Sequence, residues 1–370
     1  MRAPMGSTPP ETLARRLGVS TEAVELARDA DFLDLHLDAH IPIRLFGHDV
    51  RRRHAGAPLF GVGFGHFDVP RGRDGGLDGA LWSITTNPFR TRAGRWRTFL
   101  RNLDRLREIV AASAGSMRLV RSADEYRRAR ASGAFACMAS VQGANCLDGA
   151  LGGPGDVPDR LLVRACLMHL THSRLGASSA PFGGWRRDKG LRAAGRALVE
   201  QLDAERVFVD LAHAHPETFW DAVDAHDATL PLLCTHTGVH GVHPCWRNLS
   251  DAQLRAVADT GGVVGIIYSS YFLVPRGERA SARWVLAHLE HAISVAGEEH
   301  VGIGSDHDGF IIPPWSLRSA DRHPRLVQLM LDAGWTDTRV RRVLGQNFLR
   351  AFEILRPGSR LAEQGPSARP

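Results

Sequence analysis

Five side chains in this sequence have the makings of a metal centre: His36, Asp38, His213, His236 and Asp306. They close or follow short apolar runs, Phe32 to His36, Val207 to His213, Leu232 to His236 and Val301 to Asp306. Neutral imidazoles and carboxylates ligate zinc and similar divalent ions. His36 and Asp38 stand two apart on one side of an extended segment, so both can grip one cation. A single His-x-Asp is common by chance, but three further strand ends bearing ligand side chains turn the balance toward one converging site. Asp306, within Gly304-Ser305-Asp306-His307-Asp308-Gly309, is placed to take a proton from a water and return it to a leaving amine. His172 closes another apolar run and could donate a hydrogen bond to an oxyanion. Arg247 could clamp a substrate carboxylate through two parallel hydrogen bonds. Asp308, followed by Gly309, reads as a turn residue. His288 and His291 fall in a helical pattern and read as helix surface, and no His-Glu-x-x-His motif is present.

The elements that must position these residues alternate. Apolar runs of strand length cover Phe32 to His36, Gly79 to Thr85, Phe135 to Gln142, Ala165 to His172, Val207 to His213, Leu232 to His236, Gly262 to Ser269 and Val301 to Asp306. Helical periods lie between them, at Arg97 to Ala112, Asp124 to Ser132, Leu191 to Asp203, Pro216 to Ala225, Ser250 to Asp259 and Ser281 to Ala296. This order predicts an α/β fold, a TIM-type (β/α)8 barrel, because a closed barrel delivers every strand end to one rim. Residues 1–30 read as an N-terminal helical leader, 31–356 as the barrel with closing C-terminal helices, and 357–370 as a disordered tail. Long connections from Ile41 to Asp78 and from Gly143 to Asp159 are candidate rim loops.

With 370 residues and 44% apolar content, the chain can bury a large core. It lacks the roughly 20 consecutive apolar residues of a membrane span and a signal-peptide core, so a cytoplasmic location is the expectation. Five dispersed cysteines suggest reduced, buried thiols rather than a disulfide framework. A formal charge of +6 could suggest a nucleic-acid partner. The arginines are dispersed, however, Lys189 is the sole lysine, and no aromatic interleaving offers stacking on bases, which argues against nucleic acid.

Taken in order, Asp34-Leu35-His36-Leu37-Asp38, Leu170-Thr171-His172, Pro181-Phe182-Gly183, Asp210-Leu211-Ala212-His213, Thr235-His236-Thr237, Arg247-Asn248, Gly304 to Gly309 and Gln346-Asn347-Phe348-Leu349-Arg350 give a chain that resembles the membrane (renal) dipeptidase family, peptidase family M19, among the amidohydrolase-like barrels. The resemblance implies a metallo-dipeptidase. His36 and Asp38 would hold one zinc, and His213 and His236 a second. His172 and Arg247 would contact the substrate's carbonyl and carboxylate, and Asp306 would handle the proton. It also implies a small dipeptide-like substrate, often with a D-residue at the carboxyl end, and a homodimer. One position departs from the family: where it places a glutamate bridging both zincs, this chain has Gln142. A neutral amide cannot offset repulsion between dications about 3.5–4 Å apart. Lys189, in a loop-like Arg187-Asp188-Lys189-Gly190 stretch, is not placed as a carboxylated bridging lysine. Three readings therefore stay open: a weakened two-metal dipeptidase, a one-metal amide hydrolase acting on a specialised metabolite, and a non-catalytic binding barrel.

Overall fold

A computed structural model describes residues 8–55, 62–181 and 188–357. The tail expected over 357–370 lies outside this range except for its first residue, as do Phe182 and Gly183 of the quoted motif. Nine strands form one parallel sheet: β1 (Phe32–Leu37), β2 (Leu77–Thr85), β3 (Met117–Leu119), β4 (Phe135–Gln142), β5 (Arg164–Cys166), β6 (Phe208–Asp210), β7 (Leu233–Thr237), β8 (Val263–Ile266) and β9 (Val301–Ile303). Eight run in the order β1-β2-β4-β5-β6-β7-β8-β9. The short β3 pairs with the first half of β4, through Met117 and Phe135, and β5 pairs with its second half, through Gln142 and Cys166.

The ring closes between β1 and the segment after β9. The Asp306 amide donates to the His36 carbonyl at 3.0 Å, the Asp38 amide donates to the His307 carbonyl at 3.0 Å, and Leu37 bridges His307 in parallel. The architecture is therefore the expected eight-stranded α/β barrel. Its strands are buried on both faces, as parallel strands wrapped by helices must be.

Several helices begin where a side chain can cap them. Ser250 accepts from the Gln253 amide, and Gln253 reaches back to the Ser250 amide, which starts the helix Asp251–Asp259. Thr91 does the same for Arg92–Ala111 by accepting from Gly94, so this helix begins five residues before the apolar period becomes visible. The helices Pro10–Leu17 and Thr21–Asp29 lie against the C-terminal part of the chain, where the Ser20 amide donates to Gln328 Oε1 at 2.7 Å and Arg325 Nε to the Leu17 carbonyl at 3.1 Å. The long connection after β1 contains two further helices, His40–Phe46 and Val69–Asp74. Among the described residues no helix is long and apolar enough to cross a membrane. All five cysteines are free, four of them buried.

Close backbone approach at the barrel's end depends on Gly304. A Cβ there would stand 1.7 Å from the Thr235 carbonyl oxygen on β7, two strands away in the sheet order. Gly304→Ala is expected to destabilise the protein by about 1–3 kcal/mol or more through overpacking, read as a lower urea midpoint with unchanged m-value.

Candidate metal centre

His36 lies on β1 and is fully buried, and its Nε2 stands 3.3 Å from Asp38 Oδ2 and 3.7 Å from Asp306 Oδ1. Behind the ring, the Arg164 guanidinium donates to His36 Nδ1. With Nδ1 accepting, the proton of the neutral ring sits on Nε2, facing Asp38; the neutral ring would ligate a cation through Nε2 as the other tautomer, with its proton on Nδ1 and the Arg164 contact released. Two residues earlier on β1, Asp34 accepts from the amides of His36 and Ser305 at 3.1 and 2.8 Å, and also from the Ser305 hydroxyl. Burial pushes the Asp34 carboxyl up to about 7 against these hydrogen bonds.

His213 and His236 arrive from the opposite side. β6 ends at Asp210, and the chain then turns so that His213 adopts φ 65°, a left-handed conformation that aims its ring inward. His236 sits within β7, one residue before its end. The two Nε2 atoms are 2.8 Å apart. The proton on His236 Nδ1 is fixed by its neighbours: Thr235 Oγ1 lies 3.0 Å away and itself donates to Asp210 Oδ2 at 2.7 Å. His236 Nδ1 is thus the donor and Nε2 keeps its lone pair for the centre, as in metal-ligating histidines. Burial holds both imidazoles well below their ordinary pKa, with the Arg247 and His36 charges adding to it, so both are neutral donors.

Asp306 follows β9 at φ 60°. Gly309 packs against it so closely that a Cβ there would meet Asp306 Oδ1 at 2.4 Å and Asp38 Oδ2 at 2.8 Å. Burial, then the Asp38 charge, push the Asp306 carboxyl well above the usual range, while Arg247 pulls it down. Burial also opposes ionisation of Asp38, yet the facing His36 holds its carboxyl below the usual range. Two adjacent carboxylates and three imidazole Nε2 atoms thus share one buried space, and Asp38 Oδ1 has no hydrogen-bond partner there. Donor atoms of His36, His236 and Asp306 all lie within 4.8 Å of one another. That set fits one divalent cation.

Gln142, at the end of β4, does not supply a bridging carboxylate. Its Nε2 stands 3.1 Å from His213 Nε2 and 3.2 Å from His236 Nε2, so the amide donates toward both lone pairs, and its Oε1 is buried without a partner. These residues do not fit a carboxylate-bridged pair of ions.

The strand carrying His172 departs from expectation. β5 ends at Cys166 rather than at His172, which lies in the following loop with its Nδ1 accepting from the Ser178 amide at 3.1 Å. The imidazole that reaches the centre from this segment is His169, edge-on to His213 with ring centroids 4.9 Å apart and lowered to about 4 by burial. Arg247 is 3% exposed and donates to the His236 carbonyl at 2.6 Å, while its Nε has no partner. His288, expected on a helix surface, is buried and accepts from the Val239 amide. Arg164 was not foreseen as a site residue. It is fully buried, touches Asp210 at 3.4 Å and donates to the Val141 carbonyl. A lone charged residue in a short apolar run, Leu162-Val163-Arg164-Ala165-Cys166, was the signal available.

The sequence profile of the membrane dipeptidases, peptidase family M19, matches residues 20–363. The chain belongs to the membrane dipeptidase family. It is a metallo-dipeptidase-like hydrolase. A Klebsiella pneumoniae protein from the pqqA 5′ region is 34% identical over 260 residues, covering 67% of this chain and 92% of that protein. The solved structure of dipeptidase AC, an M19 metallopeptidase, is 27% identical with a TM-score of 0.75, over 88% of this chain and 98% of that one. A Rhodobacter sphaeroides metallopeptidase, solved with a phosphinate mimic of the dipeptide L-Ala-D-Ala, shares the fold at 24% identity and a TM-score of 0.74, over 88% of this chain and 99% of that one.

The Thr235 hydroxyl fixes the His236 tautomer without touching the ion's space. Thr235→Val is expected to lower zinc affinity roughly 10–100-fold, measured by competition with a chelator, while the circular dichroism spectrum is unchanged.

Proposed function

We propose that this protein hydrolyses the amide bond of a dipeptide-like substrate with a single divalent cation, zinc being the ion its imidazole and carboxylate donors suit best. The observation that carries this reading is the convergence of His36, His236 and Asp306 within 4.8 Å. These three would hold the ion, with Asp38 and His213 alongside. The bound ion would supply Lewis acidity toward the carbonyl and acidify the attacking water.

The chain's own groups do the rest. Asp306 Oδ1 faces His36, which leaves Oδ2 to accept the water's proton and pass it to the leaving amine. His169 stands beside His213 at the centre, placed to donate to the developing oxyanion, a role the sequence assigned to His172. The Arg247 guanidinium, anchored by one nitrogen on the His236 carbonyl, has the charge and the remaining donors to hold the substrate carboxylate. Gln142 sets the stoichiometry: its amide caps two imidazoles but brings no negative charge for a second ion.

The same amide supports a second reading, a carboxylate-binding barrel that retains the fold without turnover, because Gln142 already occupies the lone pairs a ligated ion would need. Metal analysis and a screen of L,L- and L,D-dipeptides separate the two. Hydrolysis is expected with about one zinc per chain. Protein that takes up no zinc and cleaves nothing, yet still binds a dipeptide carboxylate, would establish the second reading instead. Gln142→Glu is expected to raise both zinc content and turnover, and no gain in either counts against this account of the residue. Asp306→Asn is expected to lower kcat roughly a hundredfold to ten-thousandfold, with phosphinate binding measured in parallel to separate loss of proton transfer from loss of the ion.

A further inference from the structure

Outside the metal centre, a cleft of about 920 Å³ opens between the helix His40–Phe46, the turn after β2 and the helix Arg92–Ala111. Five arginines line it, Arg44, Arg90, Arg97, Arg101 and Arg105, against two carboxylates. We propose that this cleft binds a multivalent oxyanion, a group of the diphosphate or polycarboxylate class.

The bland alternative is a solvated cationic face, and four observations weigh against it. First, five guanidiniums gather in one concavity with no carboxylate within 4 Å of any of them among the described residues, whereas arginines such as Arg130, with Asp78 at 2.9 Å, and Arg339, with Glu298 at 2.9 Å, are paired. Second, one of the two carboxylates is turned to another partner, since Asp104 pairs with Arg107 at 3.7 Å. Third, Arg97, Arg101 and Arg105 recur every four residues along one helix face, a like-charge arrangement that costs helix stability unless an anion offsets it. Fourth, the guanidiniums meet from two sides. Arg105 reaches across to the Ile43 carbonyl and Arg44 to the Thr85 carbonyl, each at 3.4 Å, and the Arg44 guanidinium is lowered by burial and then by the charges of Arg90, Arg105 and Arg101. Thr98 and Asn102, 7% and 5% exposed, form a polar floor.

Planar forks converging on one concavity suit chelation of several oxygens of one anion. No aromatic side chain lines the cleft, so it offers no platform for stacking bases. The site lies on the catalytic rim, because Thr85 pairs in register with Gln142, but it shares no residue with the metal centre.

Calorimetric titration of the zinc-loaded protein with inorganic pyrophosphate, and separately with citrate, at about 150 mM salt tests this, since exposed charges are largely screened there. One saturable equivalent is expected in at least one arm, and the arm that binds assigns the anion class. The paired change Arg101→Gln with Arg105→Gln is expected to weaken it by roughly tenfold or more while zinc content and dipeptide turnover stay unchanged. Arg52→Ala, a change at a side chain 83% exposed and outside the cleft lining, serves as the charge control and is expected to have no effect. Absence of saturable binding in both arms, or binding that the paired change leaves intact, as pyrophosphate held by zinc would show, overturns the proposal. Because neither outcome depends on hydrolysis, a failure here is separate from a failure of the proposed activity.

Discussion

The centre depends on how the barrel closes. Two backbone hydrogen bonds, Asp306 amide to His36 carbonyl and Asp38 amide to His307 carbonyl, bring the first strand against the last and set His36, Asp38 and Asp306 on one wall. Ligands some 270 residues apart thereby become neighbours. Closure carries a conformational cost. His213, Asp306, Asp308 and Phe310 all take left-handed φ values, which non-glycine residues adopt at a cost of about 1–3 kcal/mol each. The network of Asp34, Ser305, Asp210 and Thr235 beneath them supplies the hydrogen bonds that hold this strained rim in place.

Gln142 alters the electrostatics of that arrangement more than its shape. A carboxylate and an amide have nearly the same outline, so β4 can end unchanged and deliver either to the same point. What changes is the charge facing the opposed imidazoles. An amide nitrogen is attracted to the lone pairs of His213 and His236, where a carboxylate would be repelled unless a cation lay between. One atom exchange therefore moves the site from demanding cations to tolerating their absence. His36, Asp38 and Asp306 keep the opposite character: two buried carboxylates press on one another, and a cation relieves them.

Much of this was legible in the sequence because a barrel converts strand ends into neighbours. The runs ending near His36, Gln142, His236 and Asp306 could be placed to within a few residues, since an apolar run stops where the rim meets solvent or ligand. His172 shows where such reading fails. Leu167 and Met168 continue the buried apolar pattern past the true strand end at Cys166, so the run reads longer than the strand, and the imidazole set against His213 is His169. Arg164 escaped because a buried cation inside a barrel has no periodic signature; only its partners, Asp210 and His36, explain it. β3 was hidden by its brevity, and the helices within the long connection after β1 by their shortness.

Anomalous diffraction at the zinc edge, from crystals grown with excess zinc, addresses the central claim directly. The account predicts one peak, within bonding distance of His36 Nε2, His236 Nε2 and Asp306. Two peaks bridged by Gln142 Oε1, or an empty site with the imidazoles still capped by its amide, would contradict it.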